Sequence, residues 1–464
     1  MDALPVLPAI QRAPPEILSE IFAWTRIPTF FPETGIWHRT VNQRVLAIAP
    51  WRLSHVCQDW RNATHGNAQL WSTIEIDTLI DSYCPMSPNG HYRLAHSIPT
   101  LDYPLAAIRA QLLLSANAPL YVLLRLGDLN DASDLAHVFS LLETILDHSN
   151  RFRSLTLCLR MKVDADAIRV FSVIKGQLAS LDHLHFQCRS NELEEWPAAL
   201  KDIFLHAPRL QDVYFPGADP LPISLPYPQL TKLTFYTYIT SAHLLAPGTL
   251  RLAQGLVSLN LGGPDKAFSW SISDVAPVHL PNLSFLGLWD GRLSAFFDTP
   301  KLNNLYIRAN ISAAIPFVQR FGSQLNQLNL RCYYTELSIL PRFLRLTPNV
   351  STLDLNFSRF DDPFDQREGG FSPATTALRA MTVSGSAQAL CPLVTKLHIG
   401  VHSDASSAEW NAVYDMVKSR CDAMPPLRRL SFRSAVPPGN REKLKALRTP
   451  GLEIILPIFI EDGW

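Results

Sequence analysis

Few side chains in this 464-residue chain are placed as chemistry would need them. His183 and His185 stand two apart, so on a strand both would share one face as a metal pair does. Zinc takes three or four ligands, and the residues falling beside the pair in register are Thr156 and Tyr214. The two therefore read as polar surface histidines, and no metal site is expected. The seven cysteines are scattered without a C-x-x-C pair, which describes reduced thiols, and Cys57 reads as a small buried apolar residue. Phosphate-loop, zinc-protease and nucleophile-elbow motifs are absent. Neither catalysis nor a cofactor is expected, so function should lie in recognition.

Residues suited to recognition do recur at matching positions: Tyr214, Tyr236, Trp289, Tyr306, Arg308 and Arg331. Tyr, Trp and Arg dominate binding hot spots because each joins a large contact area to a directed polar group. Trp289, Arg308 and Arg331 should stand side by side on neighbouring parallel strands, about 4.8 Å apart. A flat apolar anchor beside two guanidinium groups favours an acidic or phosphorylated segment of a target protein.

What would align them is a repeat. The pattern apolar-x-x-apolar-x-apolar occurs at Phe152-Leu155-Leu157, Leu181-Leu184-Phe186, Leu210-Val213-Phe215, Leu230-Leu233-Phe235, Leu256-Leu259-Leu261 and Leu283-Leu286-Leu288. It continues at Leu302-Leu305-Ile307, Leu325-Leu328-Leu330, Val350-Leu353-Leu355, Val394-Leu397-Ile399 and Leu427-Leu430-Phe432, and closes on a contracted Leu452-Ile454-Leu456. Most intervals fall in or near the window of roughly 20–30 residues typical of one strand and one return element per repeat. Such a unit buries its apolar side only by stacking on its neighbours, which leaves the alternate strand residues on an exposed face.

The returns carry their own signals. Leu135, Val138, Phe139, Leu142 and Leu146, then Ile168, Phe171, Ile174 and Leu178, then Trp410, Val413, Tyr414 and Val417, recur at helical spacing. Proline precedes many first apolar positions, as at Pro208, Pro228, Pro281, Pro300, Pro348, Pro392 and Pro425, ending the return before the strand ladder begins. Between Leu283 and Leu302 only a turn or a single helical turn fits. A helix over 105–116 and a strand over Leu120–Leu126 read as a degenerate first repeat, and 361–372 as an excursion from the rim.

Hydrophobic content of 47% with 18% charged residues describes a chain able to bury a large core. Basic and acidic residues balance at 41 each, which gives no reason to expect nucleic acid or an anionic membrane as a partner. The basic stretch 418–448 reads as solvated helix faces. The first residues lack the basic-then-apolar pattern of a secretory signal, and no apolar run approaches the roughly 18 residues of a membrane span. With the reduced cysteines, this points to the cytoplasm or nucleus.

Ahead of the repeats, Pro14 and Pro15 suit a first helical turn, and Ile17, Leu18, Ile21 and Phe22 form one stripe after them. Leu53, Val56, Cys57 and Trp60 repeat the spacing, followed by Leu70-Trp71. These short helices hold more apolar surface than they can bury among themselves, which points to a partner protein. The segment from Ala13 to Ile74 resembles the F-box of fungal F-box proteins, in its Pro14-Pro15-Glu16-Ile17-Leu18 start and its Val56-Cys57-x-x-Trp60-Arg61 block ending in Leu70-Trp71. The repeats resemble the leucine-rich second half of many such proteins.

That resemblance implies an α/β chain: a short helical F-box over 13–76, an irregular connection over 77–104, and a leucine-rich-repeat solenoid over 105–464 with a parallel β-sheet on its concave face. It further implies that Pro14, Ile17, Leu18, Ile21 and Phe22, with Val56, Cys57 and Trp60, dock a Skp-type adaptor and through it a cullin. The repeats would select a target protein for an SCF-type ubiquitin ligase. Three other readings remain open: a scaffold that pairs with the adaptor without promoting degradation, a helical cap in which Trp60 and Trp71 fill the core, and an enzyme with residues scattered over the repeat loops.

Overall fold

The structure is a computed structural model that describes residues 14–24, 49–78, 105–127, 132–159, 164–188, 197–216, 223–236, 247–263, 276–333, 336–358, 373–382, 390–401, 405–423, 426–433, 436–448 and 450–457. Residues 25–48, most of the connection 77–104 and the excursion 361–372 lie outside these residues. The chain divides into two compact units, Met1–Gln229 and Leu230–Trp464.

In the first unit, α1 (Pro15–Trp24) starts where the prolines set it, with the Leu18 amide donating to the Pro14 carbonyl at 3.0 Å. The second apolar block does not form one helix. α2 (Ala49–Ser54) stops, Val56 turns, and Cys57 adopts an extended conformation (φ −158°, ψ 176°) as the N-cap of α3 (Gln58–Gly66). Leu18, Phe22, Ala63, Leu70 and Trp71 make the core of this segment, with Trp51, Leu53 and Trp60 packed against it. The rings of Phe22 and Trp60 lie 4.9 Å apart, and Trp51 meets Trp71 edge-on at 4.9 Å. The buried Trp71 indole donates to the Thr64 carbonyl at 2.8 Å, so its one polar atom is satisfied.

Two residues beyond Trp71 the sheet begins. β1 (Thr73–Asp77), β2 (Leu120–Leu126), β3 (Phe152–Leu159), β4 (His183–Cys188) and β5 (Asp212–Pro216) are parallel and follow chain order. β1 lies inside the segment read as helical and pairs Ile74 with Val122 and Ile76 with Leu124. Trp71-Ile74-Ile76 is an unrecognised copy of the repeat pattern, and all three side chains are buried. α4 (Leu105–Leu114) ends just short of the expected limit. Its buried Gln111 donates to the carbonyls of Thr73 (2.6 Å) and Trp71 (3.4 Å), while Leu114 packs on the helical core. The helices thus close the end of the first strand rather than sitting apart from it.

α5 (Ala132–Leu146) carries the expected apolar face, but α6 (Ala165–Ser172) ends early. Ile174 and Leu178 are buried from the turns that follow, where Gly176 takes φ +77°.

The second unit contains β6 (Lys232–Tyr236), β7 (Ser258–Gly262), β8 (Val278–His279), β9 (Phe285–Leu288), β10 (Phe297–Asp298), β11 (Asn304–Ile307), β12 (Gln327–Tyr333), β13 (Thr352–Ser358), β14 (Lys396–Gly400), β15 (Arg429–Phe432) and β16 (Glu453–Ile455). β8 and β10 form a separate parallel pair, and the others form one parallel order in sequence. One row of the register runs Leu233, Leu259, Leu286, Leu305, Leu328, Leu353, Leu397, Leu430 and Ile454, each beside the next and all buried. Each such side chain contributes on the order of 1.5–3 kcal/mol. In the last copy the strand stops at Ile455, so Leu456 is only half-buried after it.

The returns of this unit vary in form. A 3-10 turn over Gly291–Phe296 fills the short interval, as expected, and the short helices α7 (Pro247–Leu250), α8 (Ile315–Phe321), α9 (Leu340–Arg345) and α10 (Pro373–Ala380) occupy longer ones. α11 (Ser407–Cys421) opens on a capping box in which Ser406 and Glu409 satisfy each other's backbone amides, and α12 (Pro438–Lys445) follows. Among the described residues no helix is long and apolar enough to cross a membrane.

Candidate functional site

Two surfaces carry the residues singled out from the sequence. On the helical segment, the stripe divides. Leu18 and Phe22 face inward and fill the segment's own core, whereas Ile17 (51% exposed), Ile21 (39%) and Val56 (55%) face out. Pro14 is also exposed, while Cys57 and Trp60 are half-buried, Trp60 against Phe22. Of the residues expected to meet an adaptor, Leu18 and Phe22 are thus covered within the segment itself, because a helix packed on two neighbours presents only its remaining side. Cys57 is not the buried residue expected, since its extended backbone puts it at the surface start of α3.

The other surface is the open face of the second unit. The residue after each third apolar position forms a row: Tyr236, Gly262, Trp289, Arg308, Arg331, Asn356, Gly400 and Arg433. The expected neighbours do meet, with the Arg308 guanidinium carbon 4.0 Å above the Trp289 ring. Tyr236 reaches the same cluster from two strands away, its ring centroid 5.1 Å from that of Trp289 and its hydroxyl accepting from Asn260 at 2.8 Å. The intervening residue is glycine for a steric reason. A Cβ on Gly262 would lie 2.0 Å from Tyr236 Cδ1 and 2.8 Å from Trp289 Cε2. Gly262→Ala is expected to push the two rings apart and cost about 1–3 kcal/mol, seen as a lower melting temperature and a changed near-ultraviolet aromatic signal. An unaltered aromatic spectrum would show that the rings do not depend on that gap.

The row one residue earlier adds charge and hydrogen bonding. Tyr306 stands beside Asn329, which stands beside Asp354. Asp354 Oδ2 accepts from Asn329 at 3.1 Å and from the Arg433 guanidinium. Burial raises the Asp354 pKa, and the Arg433 charge opposes that change. Burial also raises the pKa of the Tyr306 phenol and lowers that of Arg331, the latter aided by the Arg308 charge. Sequence reasoning does not find Asp354, Arg433 or Gly262, although each occupies a row position singled out on other repeats.

In the first unit, register places Thr156, His185 and Tyr214 side by side, as expected. His185 is nevertheless 2% exposed, with Tyr214 edge-on at 4.7 Å, so it is a buried histidine and not a surface one. Burial, helped by the Arg125 charge, drives its pKa to about 3. Its companion His183 is exposed and faces Asp212 at 3.6 Å. No group of side chains suited to a metal ion occurs among the described residues.

No protein-family profile matches the chain, and no curated protein matches it. Among solved structures, a leucine-rich-repeat protein of Leptospira interrogans is similar over 73% of this chain and 96% of its own, at 13% identity and a TM-score of 0.22. The leucine-rich-repeat-like fold stands on the strand register itself, one parallel strand per repeat with stacked Leu rows. Such repeats present an extended face whose common use is protein–protein interaction.

Proposed function

We propose that the chain is the substrate-recognition subunit of an SCF-type ubiquitin ligase, noncatalytic itself, with the helical segment docking a Skp-type adaptor and the repeats holding a target protein. The observation that carries this reading is the set Ile17, Ile21 and Val56, exposed apolar side chains on α1 and on the turn between α2 and α3, in a segment whose inner side is already filled. Exposed branched side chains on a packed helical segment are poorly explained by folding alone. Pro14, Cys57 and Trp60 border them and would join the contact. Co-expression of the full chain with a Skp-type adaptor is the test. An Ile17→Asp/Val56→Asp variant is expected to lose adaptor capture by at least about 100-fold, each anchor carrying roughly 2 kcal/mol, while its circular dichroism stays unchanged. Undiminished capture by the folded variant removes the docking assignment.

A second reading has its own observation. Gln111 and Leu114 tie α4 to the helical core, which is what a structural cap on the first strand requires. A pure cap leaves adaptor capture absent from wild type and variant alike, so the same measurement separates the two.

A further inference from the structure

The open face of the second unit also brings together three side chains of complementary chemistry. Register sets Asp354 of β13 beside His398 of β14, and His398 beside Ser431 of β15. All three occupy the alternate positions that point away from the buried row of Leu353, Leu397 and Leu430. Ser431 Oγ and His398 Nδ1 are hydrogen-bonded to each other. Asp354 is 9% exposed, and its Oδ2 accepts from Asn329 and Arg433 while Oδ1 has no partner among the described residues. Arg433 follows Ser431 by two residues and so shares its face, its amide extending the ladder to the Ile399 carbonyl at 3.0 Å. Burial lowers the His398 pKa, Asp354 opposes that change, and the Arg429, Arg433 and Lys396 charges add to it. The ring is therefore neutral at pH 7, and the tautomer with hydrogen on Nε2 accepts the serine proton at Nδ1.

We propose that Ser431 is a nucleophile that takes an acyl group from a carboxylic ester, with His398 as its general base and Asp354 as the positioning residue that stabilises the charged ring. This goes beyond the receptor reading, in which the chain supplies no chemistry to ubiquitin transfer, and does not depend on it. Ser431 Oγ attacks the ester carbonyl carbon as its proton passes to His398 Nδ1, and the carbonyl π electrons move onto oxygen. The Arg433 guanidinium, half-exposed and engaged by Asp354 through one amino group, is the cation on this face for the developing oxyanion. As the tetrahedral centre collapses, the bond to the leaving alcohol breaks and that oxygen takes the proton from His398. Water, deprotonated by the same ring, then cleaves the acyl-serine, releasing the acid and returning the proton to Ser431. The Asp354 carboxylate, on the strand about 4.8 Å away, favours the imidazolium formed in each half.

The test treats folded full-length protein with a fluorophosphonate probe, which phosphonylates an activated serine with loss of fluoride, and maps the modified peptides by mass spectrometry. Ser431 is expected to react about 100-fold faster or more than Ser284 and Ser351, half-buried serines whose hydroxyls bond to Val257 and Asn326 instead of an imidazole. His398→Gln should remove that advantage with its melting temperature unchanged, and should hydrolyse 4-nitrophenyl acetate no faster than Ser431→Ala. The wild-type rate should rise with pH as His398 loses its proton below about 6.5 and then level off. Asp354→Asn should lower that inflection as well as the plateau, whereas a lower plateau with an unmoved inflection overturns its role toward the ring. Where His398→Gln fails to fold, a wild-type rate that stays flat between about pH 5 and 8 overturns the base assignment. Equal labelling of the three serines, labelling indifferent to His398→Gln, or no labelling of the folded wild type overturns the proposal and leaves a satisfied polar pair. Labelling without ester turnover above that of Ser431→Ala overturns the hydrolytic assignment. Capture of a Skp-type adaptor by Ser431→Ala should equal that of wild type, so failure of the receptor reading and failure of this one are told apart.

Discussion

Alanine in place of Trp71 is expected to unfold the helical segment and loosen the start of the sheet, at a cost of about 3–5 kcal/mol. The indole is fully buried, meets Trp51 edge-on, and satisfies the Thr64 carbonyl, while the Trp71 carbonyl accepts from Gln111. Its removal opens a large cavity and disturbs the residues immediately before β1. Hydrogen exchange should then show protection lost in α3 and β1 and retained in the second unit. A loss below about 1 kcal/mol in chemical denaturation would mean that the helices contribute little to the first strand. Leu18 and Phe22 belong to the same core, so alanine at either should act on folding first, and on the proposed adaptor capture only through folding. On the proposed docking reading, Ile17, Ile21 and Val56 are the positions where binding and stability should separate.

Acidification from pH 7 to 4 should destabilise the first unit by about 3 kcal/mol through His185 alone, since each pH unit between the two proton affinities is worth about 1.36 kcal/mol. An unfolded imidazole takes up its proton near 6.5, whereas in the folded chain burial delays that uptake to about 3. The stabilisation is therefore complete above 6.5, falls as the pH drops toward 3, and is spent below it. His185→Gln, which keeps a polar group of similar size without titrating, should flatten the stability curve between those values. Denaturation of both proteins across that range gives the answer, and a variant with the wild-type slope would assign the acid sensitivity to other groups.

Much of the sheet is legible because burial leaves little choice at three positions per repeat, and Leu181, Leu210, Leu230 and their successors are all buried as the pattern demands. Trp71-Ile74-Ile76 obeys the same rule but reads as part of the helical block, where tryptophan has another explanation. The limit there is competition between two readings of one residue. Amphipathic spacing on α1 marks the right side chains without telling which half of the stripe packs inward, since that depends on where α2 and α3 arrive. The meeting of Trp289 with Arg308 follows from strand order, whereas the reach of Tyr236 across Gly262 requires seeing that a missing Cβ leaves room for a ring. His185 sits on the expected face, and its burial comes from neighbours such as Tyr214 that alternation cannot reveal.

The leucine rows hold their register although more than twice as many residues separate Leu397 from Leu353 as separate Leu305 from Leu286. Loop-closure entropy rises only with the logarithm of length, so doubling a return costs about 0.6 kcal/mol. One buried leucine offsets that more than twice over. Insertions in the returns are consequently tolerated without shifting any side chain of the sheet to the opposite face. A chain built this way can acquire or discard whole rim segments over time, altering the surface it presents, while the strand-borne row of aromatic and guanidinium groups keeps its spacing.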